Sequence, residues 1–268
     1  MELSELRKLL HLSASSIGTY INCSLKYKLI KIDKLAPDFV SDSLVYGSAI
    51  HVMLEIFHRA RMHNEIIPLS KWLEMFEVHW YETLVSTPEI KYSNGAYAGS
   101  LLDEGKSLLT IYYDRFPREY KVIAVEKGFN ISIEGLPRVI IGAIDLVEED
   151  ESGTIIITDH KTSGRAFSND EVNRNMQLTL YQMAMKEQYP DRDFMLKLDA
   201  LIKTKTPKFE QFYTFRDELA EQRLKRKILA VWNGIEKEVF IPNEESWFCK
   251  GCEYKSHCND WFEERRAA

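Results

Sequence analysis

Cysteine and long apolar runs are scarce in this chain of 268 residues, and the chain has no net positive charge. Its four cysteines are too few for a disulfide scaffold at this length, and a reducing cytosol disfavours their pairing, so metal ligation is the better interpretation. No stretch approaches the roughly 18 to 20 uninterrupted apolar residues of a membrane span. The N-terminus lacks the charged-then-apolar order of a signal peptide. We therefore expect a cytoplasmic protein that does not cross a membrane.

The formal net charge of −6 means that no chain-wide positive field indicates nucleic-acid binding. Contacts with DNA would have to come from local basic patches. The sequence offers three of them: Lys26, Lys28, Lys31 and Lys34; Lys203, Lys205 and Lys208; and Arg223, Lys225, Arg226 and Lys227. A solvated surface also explains each patch, so a patch becomes informative only beside a catalytic site.

The composition, with 45% hydrophobic and 12% aromatic residues, allows the core of one large domain, which we place at residues 1–268. Apolar residues recur at spacings of three and four over residues 44–63, 69–84 and 97–115. Prolines and an Asn-Gly pair separate these stretches. The spacing predicts a mainly helical part over residues 1–120.

Residues 121–161 change to a period of two with many β-branched residues, which predicts three or four neighbouring strands. A turn at 149–153 predicts a hairpin between the last two of them. A helix over 170–188, a strand over 193–203 and a helix over 217–237 are expected to follow.

The predicted fold is therefore α/β, with a mixed central sheet flanked by helices. We expect a sheet core over residues 121–204. A C-terminal helix and a short cysteine-rich tail should occupy residues 205–268.

An acidic residue and a lysine share one face of the predicted strand that ends in Thr158-Asp159-His160-Lys161. Residues i and i+2 of a strand point the same way, so Asp159 and Lys161 project together and His160 turns away. Hairpin pairing can bring Asp145, at the end of the preceding strand, close to Asp159. Two such carboxylates can hold Mg²⁺ or Mn²⁺ for phosphodiester hydrolysis. An isolated Asp-x-Lys pattern is more often an exposed ion pair, so the flanking motifs matter.

Four motifs, the Asp-x-Lys pattern among them, resemble those of one family in their order along the chain. They are Gly47-Ser-Ala-Ile-His51, Gly142-Ala-Ile-Asp145, Asp159-His-Lys161 and Gln177-Leu-Thr-Leu-Tyr181. The middle two resemble the motifs of PD-(D/E)XK nucleases, and the outer two resemble the G-x-x-x-H and Q-x-x-x-Y motifs of their RecB-like branch. Ile144 stands where the family name has proline, which is common in that branch. The resemblance covers about residues 12 to 260 and implies a restriction-endonuclease-like core.

The resemblance implies a role for each motif. Asp145, Asp159 and Lys161 would be the catalytic residues of a Mg²⁺- or Mn²⁺-dependent deoxyribonuclease. Gln177 and Tyr181, which lie at i and i+4 on one helix face, would bind the substrate. Taken alone, such a pair is more often a coincidence on a helix surface.

The resemblance also implies a set of metal ligands. They are His51, Glu126, Asp145, Asp159 and the backbone carbonyl of His160. Glu126 is included because it matches, by position, an acidic residue that some members carry on the first core strand. Since Glu55 and His58 share the helix face of His51, a structural role for His51 remains an alternative.

The cysteines are distributed as one plus three: Cys23 near the N-terminus, and Cys249, Cys252 and Cys258 in a C-x2-C-x5-C pattern. Zinc modules usually pair two local C-x2-C knuckles. The distribution here resembles the 4Fe–4S site of AddB-type and CRISPR-associated RecB-like nucleases. We expect an iron–sulfur cluster with a structural role, and zinc or unligated thiols are the alternatives.

Both sets of residues are explained by a nuclease that acts on DNA ends or single strands, as an exonuclease or a flap-type enzyme. Its partners would be DNA and proteins of recombination, replication, repair or CRISPR adaptation. One alternative is a non-catalytic DNA-binding or scaffold subunit, which would have no need of Asp145, Asp159 and Lys161 together. A zinc protein with another role is the second alternative.

Overall fold

The computed structural model describes residues 3–264, and residues 1–2 and 265–268 of the expected domain lie outside that range. The strands are β1 (His11–Leu12), β2 (Val40–Ser41), β3 (Ile90–Lys91), β4 (Lys121–Ile131), β5 (Val139–Glu149), β6 (Ile155–Ser163), β7 (Phe194–Ile202) and β8 (Lys208–Thr214). The helices are α1 (Leu3–Leu6), α2 (Ala14–Asn22), α3 (Ser24–Tyr27), α4 (Asp42–Met62), α5 (Leu69–Ser86), α6 (Ala98–Arg115), α7 (Asn169–Asn173), α8 (Met176–Gln188), α9 (Glu218–Glu236) and α10 (Lys255–Glu264). A π-helical turn follows α3 at Lys28–Ile32, and a 3-10 turn lies at Trp247–Cys249.

Six strands form one mixed sheet, and β2 and β3 form a separate short pair. Within the large sheet, β4, β5 and β6 are antiparallel neighbours, β6 and β7 run parallel, and β8 pairs antiparallel with β7. β6 and β7 are buried over most of their length, as expected for strands that are covered on both faces. The α/β class with a mixed central sheet flanked by helices is confirmed.

One edge of β5 contains a gap between its strand partners. β4 pairs with β5 over nearly its whole length, so β1 and β6 must share the opposite edge. On that edge β1 pairs up to Ile140, and β6 pairs from Leu146 onwards. Within residues 3–264, no strand pairs with this edge between those two positions. Asp145 therefore lies at the border of the gap, where β6 diverges from β5.

Helices cover both faces of the sheet. α2, α8 and α9 pack on one face in a core that includes Tyr181, and α4, α5 and α6 pack on the other face around Trp72. His51 is carried by α4 and Gln177 by α8, so the two helices approach the end of β6 from opposite sides. Among the helices of residues 3–264, none combines the length and apolar character needed to cross a bilayer.

The helix expected over residues 170–188 is interrupted. α7 ends at Asn173, and Asn175 then caps α8 by accepting a hydrogen bond from the Leu178 amide at 3.0 Å. The Arg216 guanidinium lies at this break and donates to the Val172 carbonyl at 2.8 Å. Because the capping asparagine and a distant arginine satisfy the open backbone groups, two short helices replace one long helix.

A strand that we did not expect, β8, lies in the segment 205–268 that we assigned to a helix and a tail. β8 is an edge strand, and Glu210, Gln211 and Tyr213 interrupt its apolar positions. Polar residues are common on edge strands because they oppose unwanted pairing, but they also hide the alternation that predicts a strand.

Candidate active site

Asp145 and Asp159 meet where β6 leaves β5. The last strand pair is Leu146 with Thr158, and beyond it the backbone N–H of His160 donates to Asp145 Oδ2 at 2.7 Å. The Asp145 side chain thus takes the place of the next backbone carbonyl as the hydrogen-bond acceptor. The bond ties the end of β6 to Asp145.

His51, Glu126 and Asp145 form a cluster of candidate metal ligands, because one ligand atom of each lies within 4.8 Å of the other two. His51 Nδ1 is 3.7 Å from Asp145 Oδ2. Glu126 lies opposite Asp145 in the β4–β5 register and has a φ of +49°. This left-handed conformation is uncommon outside glycine and costs on the order of 1 kcal/mol. Strain of this kind concentrates at functional sites.

The carboxylates of the cluster are electrostatically crowded. Burial and the charge of Asp159 raise the pKa of Asp145 well above its usual range. Burial and the charge of Glu55 raise the pKa of Glu126 to about 7. Burial and the nearby Lys161 lower the pKa of His51, which keeps its imidazole neutral at neutral pH. A divalent cation would relieve the crowding of the acids and accept the neutral imidazole as a ligand.

Lys161 lies between the two sides of the site. Its Nζ donates to Asp159 Oδ1 at 3.0 Å and to Gln177 Oε1 at 3.1 Å, and the Gln177 amide donates to the Tyr181 hydroxyl. Burial opposes the charge of Lys161, but the negative charges of Asp159 and Asp145 outweigh it and raise the pKa of the ammonium. Lys161 is therefore a fixed cation beside the carboxylates.

Asp159 offers a test of whether these residues fit a metal ion. Its side chain is 0% exposed, and Oδ2 has no hydrogen-bond partner, although Lys161 Nζ lies 3.0 Å away as an ion pair. A buried carboxylate oxygen without a hydrogen bond is costly. Mg²⁺ and Mn²⁺ prefer carboxylate oxygens, so Asp145 and Glu126, with His51, fit a hard divalent cation, and Asp159 lies outside this group of three.

Behind β6, the His160 side chain enters a buried polar network. The Tyr112 hydroxyl lies 3.2 Å from His160 Nε2 and 2.6 Å from His58 Nε2. On its other side, His58 Nδ1 lies 2.9 Å from Arg61 Nη1, and the same Arg61 atom donates to Glu148 at 2.9 Å. His160 is therefore held from behind by side chains and from the front by its bond to Asp145.

Lys197 and Asp199 on β7 complete this network. Lys197 Nζ lies 3.4 Å from Glu148 Oε2 and 3.6 Å from Asp199 Oδ2, and Gln211 donates to Asp199 at 3.0 Å. We did not predict these residues from the sequence. The sequence feature that could have indicated them is Lys197-Leu-Asp199 inside an apolar strand. Two charged residues at i and i+2 share one face of a strand, and when they are buried they need partners.

His51 and His58 have different surroundings on α4. His58 is buried, and both of its ring nitrogens have partners. The His51 side chain is 32% exposed and faces Asp145. Glu55, on the same helix, is paired with Arg59 at 2.8 Å. Of the two histidines on α4, His58 is therefore the one with structural surroundings.

All four cysteines line one cavity between the two ends of the chain: Cys23, Cys249, Cys252 and Cys258. Cys23 caps α3, and its Sγ accepts a hydrogen bond from the Lys26 amide at 3.4 Å. Leu25 and Tyr254 provide the apolar surroundings. Burial raises the pKa of Cys252 and of Cys258. Since metals bind the thiolate, a ligated ion would have to overcome this effect.

The basic patches differ in how far they are neutralised. Lys26 is paired with Glu253, and Lys28 is paired with Asp33. Lys203 Nζ lies 4.9 Å from the centre of the Tyr46 ring. The cations of the third patch are exposed on α9.

A family model for the PD-(D/E)XK nuclease superfamily matches residues 11–259. The chain therefore belongs to the PD-(D/E)XK nuclease superfamily, and this membership supports a nuclease. No curated protein matches the chain.

Among solved structures, the chain is similar to the crystal structure of a "Putative exonuclease" from Eubacterium rectale, with a TM-score of 0.59 and 14% identity. The match covers 92% of this chain and 90% of that one. At this identity the likeness shows the fold. The structure of SSO0001, with a TM-score of 0.37 and 15% identity over 87% of this chain and 92% of that one, is too different to support an argument.

The buried network predicts a large loss of stability when its central cation is removed. Lys197→Met should lower the free energy of unfolding by roughly 3–5 kcal/mol, because Asp199 loses its ammonium partner in a buried site. Lys186→Met is the matched control, since it removes a 45% exposed partner of Glu221 and should cost about 0–1 kcal/mol. Urea unfolding measures both values, and equal losses would contradict the structural role of Lys197.

Proposed function

We propose that this chain is a Mg²⁺- or Mn²⁺-dependent deoxyribonuclease of the RecB-like branch that acts as an exonuclease on DNA ends or single strands. The observation that carries the proposal is the cluster of His51, Glu126 and Asp145 beside Asp159 and Lys161. The G-x-x-x-H and Q-x-x-x-Y resemblances support the branch. The Eubacterium rectale protein of similar fold is described as a "Putative exonuclease", which supports exonuclease action.

A divalent cation bound here would supply the charge that acidifies a water molecule and polarises the scissile phosphate. Asp145, Asp159, His51 and Glu126 would hold it, with the backbone carbonyl of His160 as a further ligand. The N–H of His160 donates to Asp145, so these two ligands are held in fixed relation to each other.

Lys161 would orient the attacking water or stabilise the charge that develops on the phosphate. Its ammonium is held between Asp159 and Gln177, so its direction is set before a substrate arrives. Gln177 is oriented in turn by Tyr181. Preorganised groups of this kind contribute most to catalysis, because they need no rearrangement during the reaction.

The alternative of a non-catalytic scaffold subunit is less well supported. Such a subunit gains nothing from the strained Glu126 or from the burial of Asp145 beside the charge of Asp159, and both features cost free energy. A site that does chemistry explains why the chain retains them.

We also propose that the four cysteines bind a 4Fe–4S cluster. They come from both ends of the chain and line one cavity, which supports a single shared group. Zinc modules usually pair two local C-x2-C knuckles, whereas the one-plus-three distribution of these cysteines favours an iron–sulfur cluster.

Replacement of the proposed catalytic residues should abolish metal-dependent cleavage of DNA. Asp145→Ala and Asp159→Ala each remove a carboxylate ligand, and Lys161→Ala should lower the rate at least 100- to 1000-fold, as for other electrostatic groups. The exposed Lys71→Ala on α5 is the control. End-labelled single- and double-stranded DNA with Mg²⁺ or Mn²⁺ measures the rates. A wild-type rate for Lys161→Ala would show that the site is wrongly assigned.

The affinity for Mn²⁺ should depend on pH because the pKa of Glu126 is raised to about 7. Below that pH a proton competes with the metal, so affinity should rise roughly tenfold per pH unit and then level off above it. Glu126→Gln should weaken binding and flatten this dependence.

Glu55→Gln is the matched control for Glu126→Gln. It removes a charge that raises the pKa of Glu126, so the rise should move to lower pH while the affinity at high pH is kept. Calorimetric titration with Mn²⁺ measures the affinity of the wild-type protein and of both variants over a range of pH. A wild-type pH dependence in Glu126→Gln would exclude Glu126 as a ligand.

Loss of Cys23 should affect the whole fold, because a group shared by Cys23 and Cys249 closes most of the chain into a loop. By analogy with a covalent cross-link, this closure is worth on the order of 5 kcal/mol. Cys23→Ser should lose the brown colour, unfold at a lower temperature and expose the chain ends to proteolysis. Ser24→Ala, which removes the two hydrogen bonds between the Ser24 hydroxyl and the Ile241 backbone but no thiol, should keep the colour. Stoichiometric zinc without iron, in protein purified without oxygen, would overturn the cluster.

A further inference from the structure

A groove lies in the gap between β1 and β6 on the edge of β5. Residues 141–143 of β5 line it, together with residues around the start of α2 and with Gln177 and Tyr181 of α8. Its volume is about 510 Å³. Because no strand of the described chain pairs with β5 here, the backbone of this edge is open to a ligand.

The groove is lined by positive charges although the chain as a whole is acidic. The chain carries 41 acidic residues, yet none of the described residues that line the groove is Asp or Glu. Arg7 and Lys31 line it, and within residues 3–264 neither has a hydrogen-bond or ion-pair partner. α2 also begins here, at Ala14, with the positive end of its helix dipole. Two free cations and a helix start favour an anionic ligand.

The neighbours of Lys31 in the sequence show that this exposure is specific. Lys26 is paired with Glu253 at 2.9 Å and Lys28 with Asp33 at 2.5 Å, and neither lines the groove. Of these three lysines, only Lys31 combines a position in the groove with an unpaired charge.

The groove adjoins the candidate active site. Gln177 and Tyr181 belong to both, since Gln177 lines the groove and also accepts the hydrogen bond of Lys161. A chain of phosphates could therefore pass from Lys161 along the groove towards Arg7 and Lys31.

We infer that this groove is a phosphate-binding subsite for a single DNA strand, in which Arg7 and Lys31 hold the sugar–phosphate backbone next to the scissile bond. The inference deepens the proposed nuclease function and rests on it. Phe129 and Tyr181 are 4% and 1% exposed, and their rings pack edge to face against each other. Neither of these two rings is therefore free for a base to stack on, which favours contact with the sugar–phosphate backbone.

The test measures binding of a single-stranded oligothymidylate in EDTA, where no cleavage occurs, by fluorescence anisotropy over a range of salt concentrations. Each phosphate contact contributes about 0.7 to the slope of log affinity against log salt for a single strand. The double variant Arg7→Gln, Lys31→Gln should therefore lose about 1.4 units of slope. Both side chains are exposed, and an unchanged unfolding temperature shows that the fold is kept.

The matched control is the double variant Lys26→Gln, Lys28→Gln, which removes the same net charge from the same region but from cations that are already paired. It should keep most of the wild-type slope. An unchanged slope in the groove variant, or an equal loss in the control, would overturn the subsite.

The proposed activity is measured separately with Mg²⁺ or Mn²⁺. Wild-type cleavage of DNA together with an unchanged slope in the groove variant would reject the subsite and leave the nuclease intact. Binding with the expected slope change but no cleavage would reject the nuclease and leave the subsite intact.

Discussion

The divergence of β6 from β5 is the constraint on which the candidate site depends. Two antiparallel strands normally continue their hydrogen bonds to the end of the shorter one, but here the ladder stops after Leu146 and Thr158. The N–H of His160 is not left unpaired, because it donates to the Asp145 carboxylate. One hydrogen bond thus satisfies the backbone N–H of His160 and fixes the candidate ligand Asp145 at the point where the two strands separate. The groove on the edge of β5 is a consequence of the same opening.

Alternation along β6 then divides its side chains between two environments. Asp159 and Lys161 face α8 and the open side, while His160 faces the buried network under α4 and α6. The network behind is buried and joined by hydrogen bonds and ion pairs, with Lys197 between Glu148 and Asp199, whereas the cluster in front gathers His51, Glu126 and Asp145. A packed network behind the strand holds the candidate ligands in front of it in place, as a site that must hold an ion requires.

Local patterns predicted much of this arrangement, since a period of two places Asp159 and Lys161 together and a hairpin brings Asp145 beside them. The long helices and the core strands also follow from periodicity. What the sequence could not supply are the contacts between distant segments. The pairing of Lys197 with Glu148 depends on how β7 is placed relative to β5 across the sheet, and the break before α8 depends on Arg216, which lies far along the chain. Local propensity carries no information about either contact.

The N-terminal segment connects the two sites that the comparisons leave unassigned. Cys23 begins α3, and the π-helical turn Lys28–Ile32 follows directly, so a residue of the cysteine cavity and a cation of the groove lie on one short continuous element. The C-terminal segment holds this element in place: Lys26 pairs with Glu253, and the Leu25 amide donates to the Ile241 carbonyl at 3.3 Å. A group bound by the cysteines would therefore fix the position of Lys31 as well as the chain ends. The proposed cluster and the proposed phosphate subsite would then be coupled through the packing of this one element.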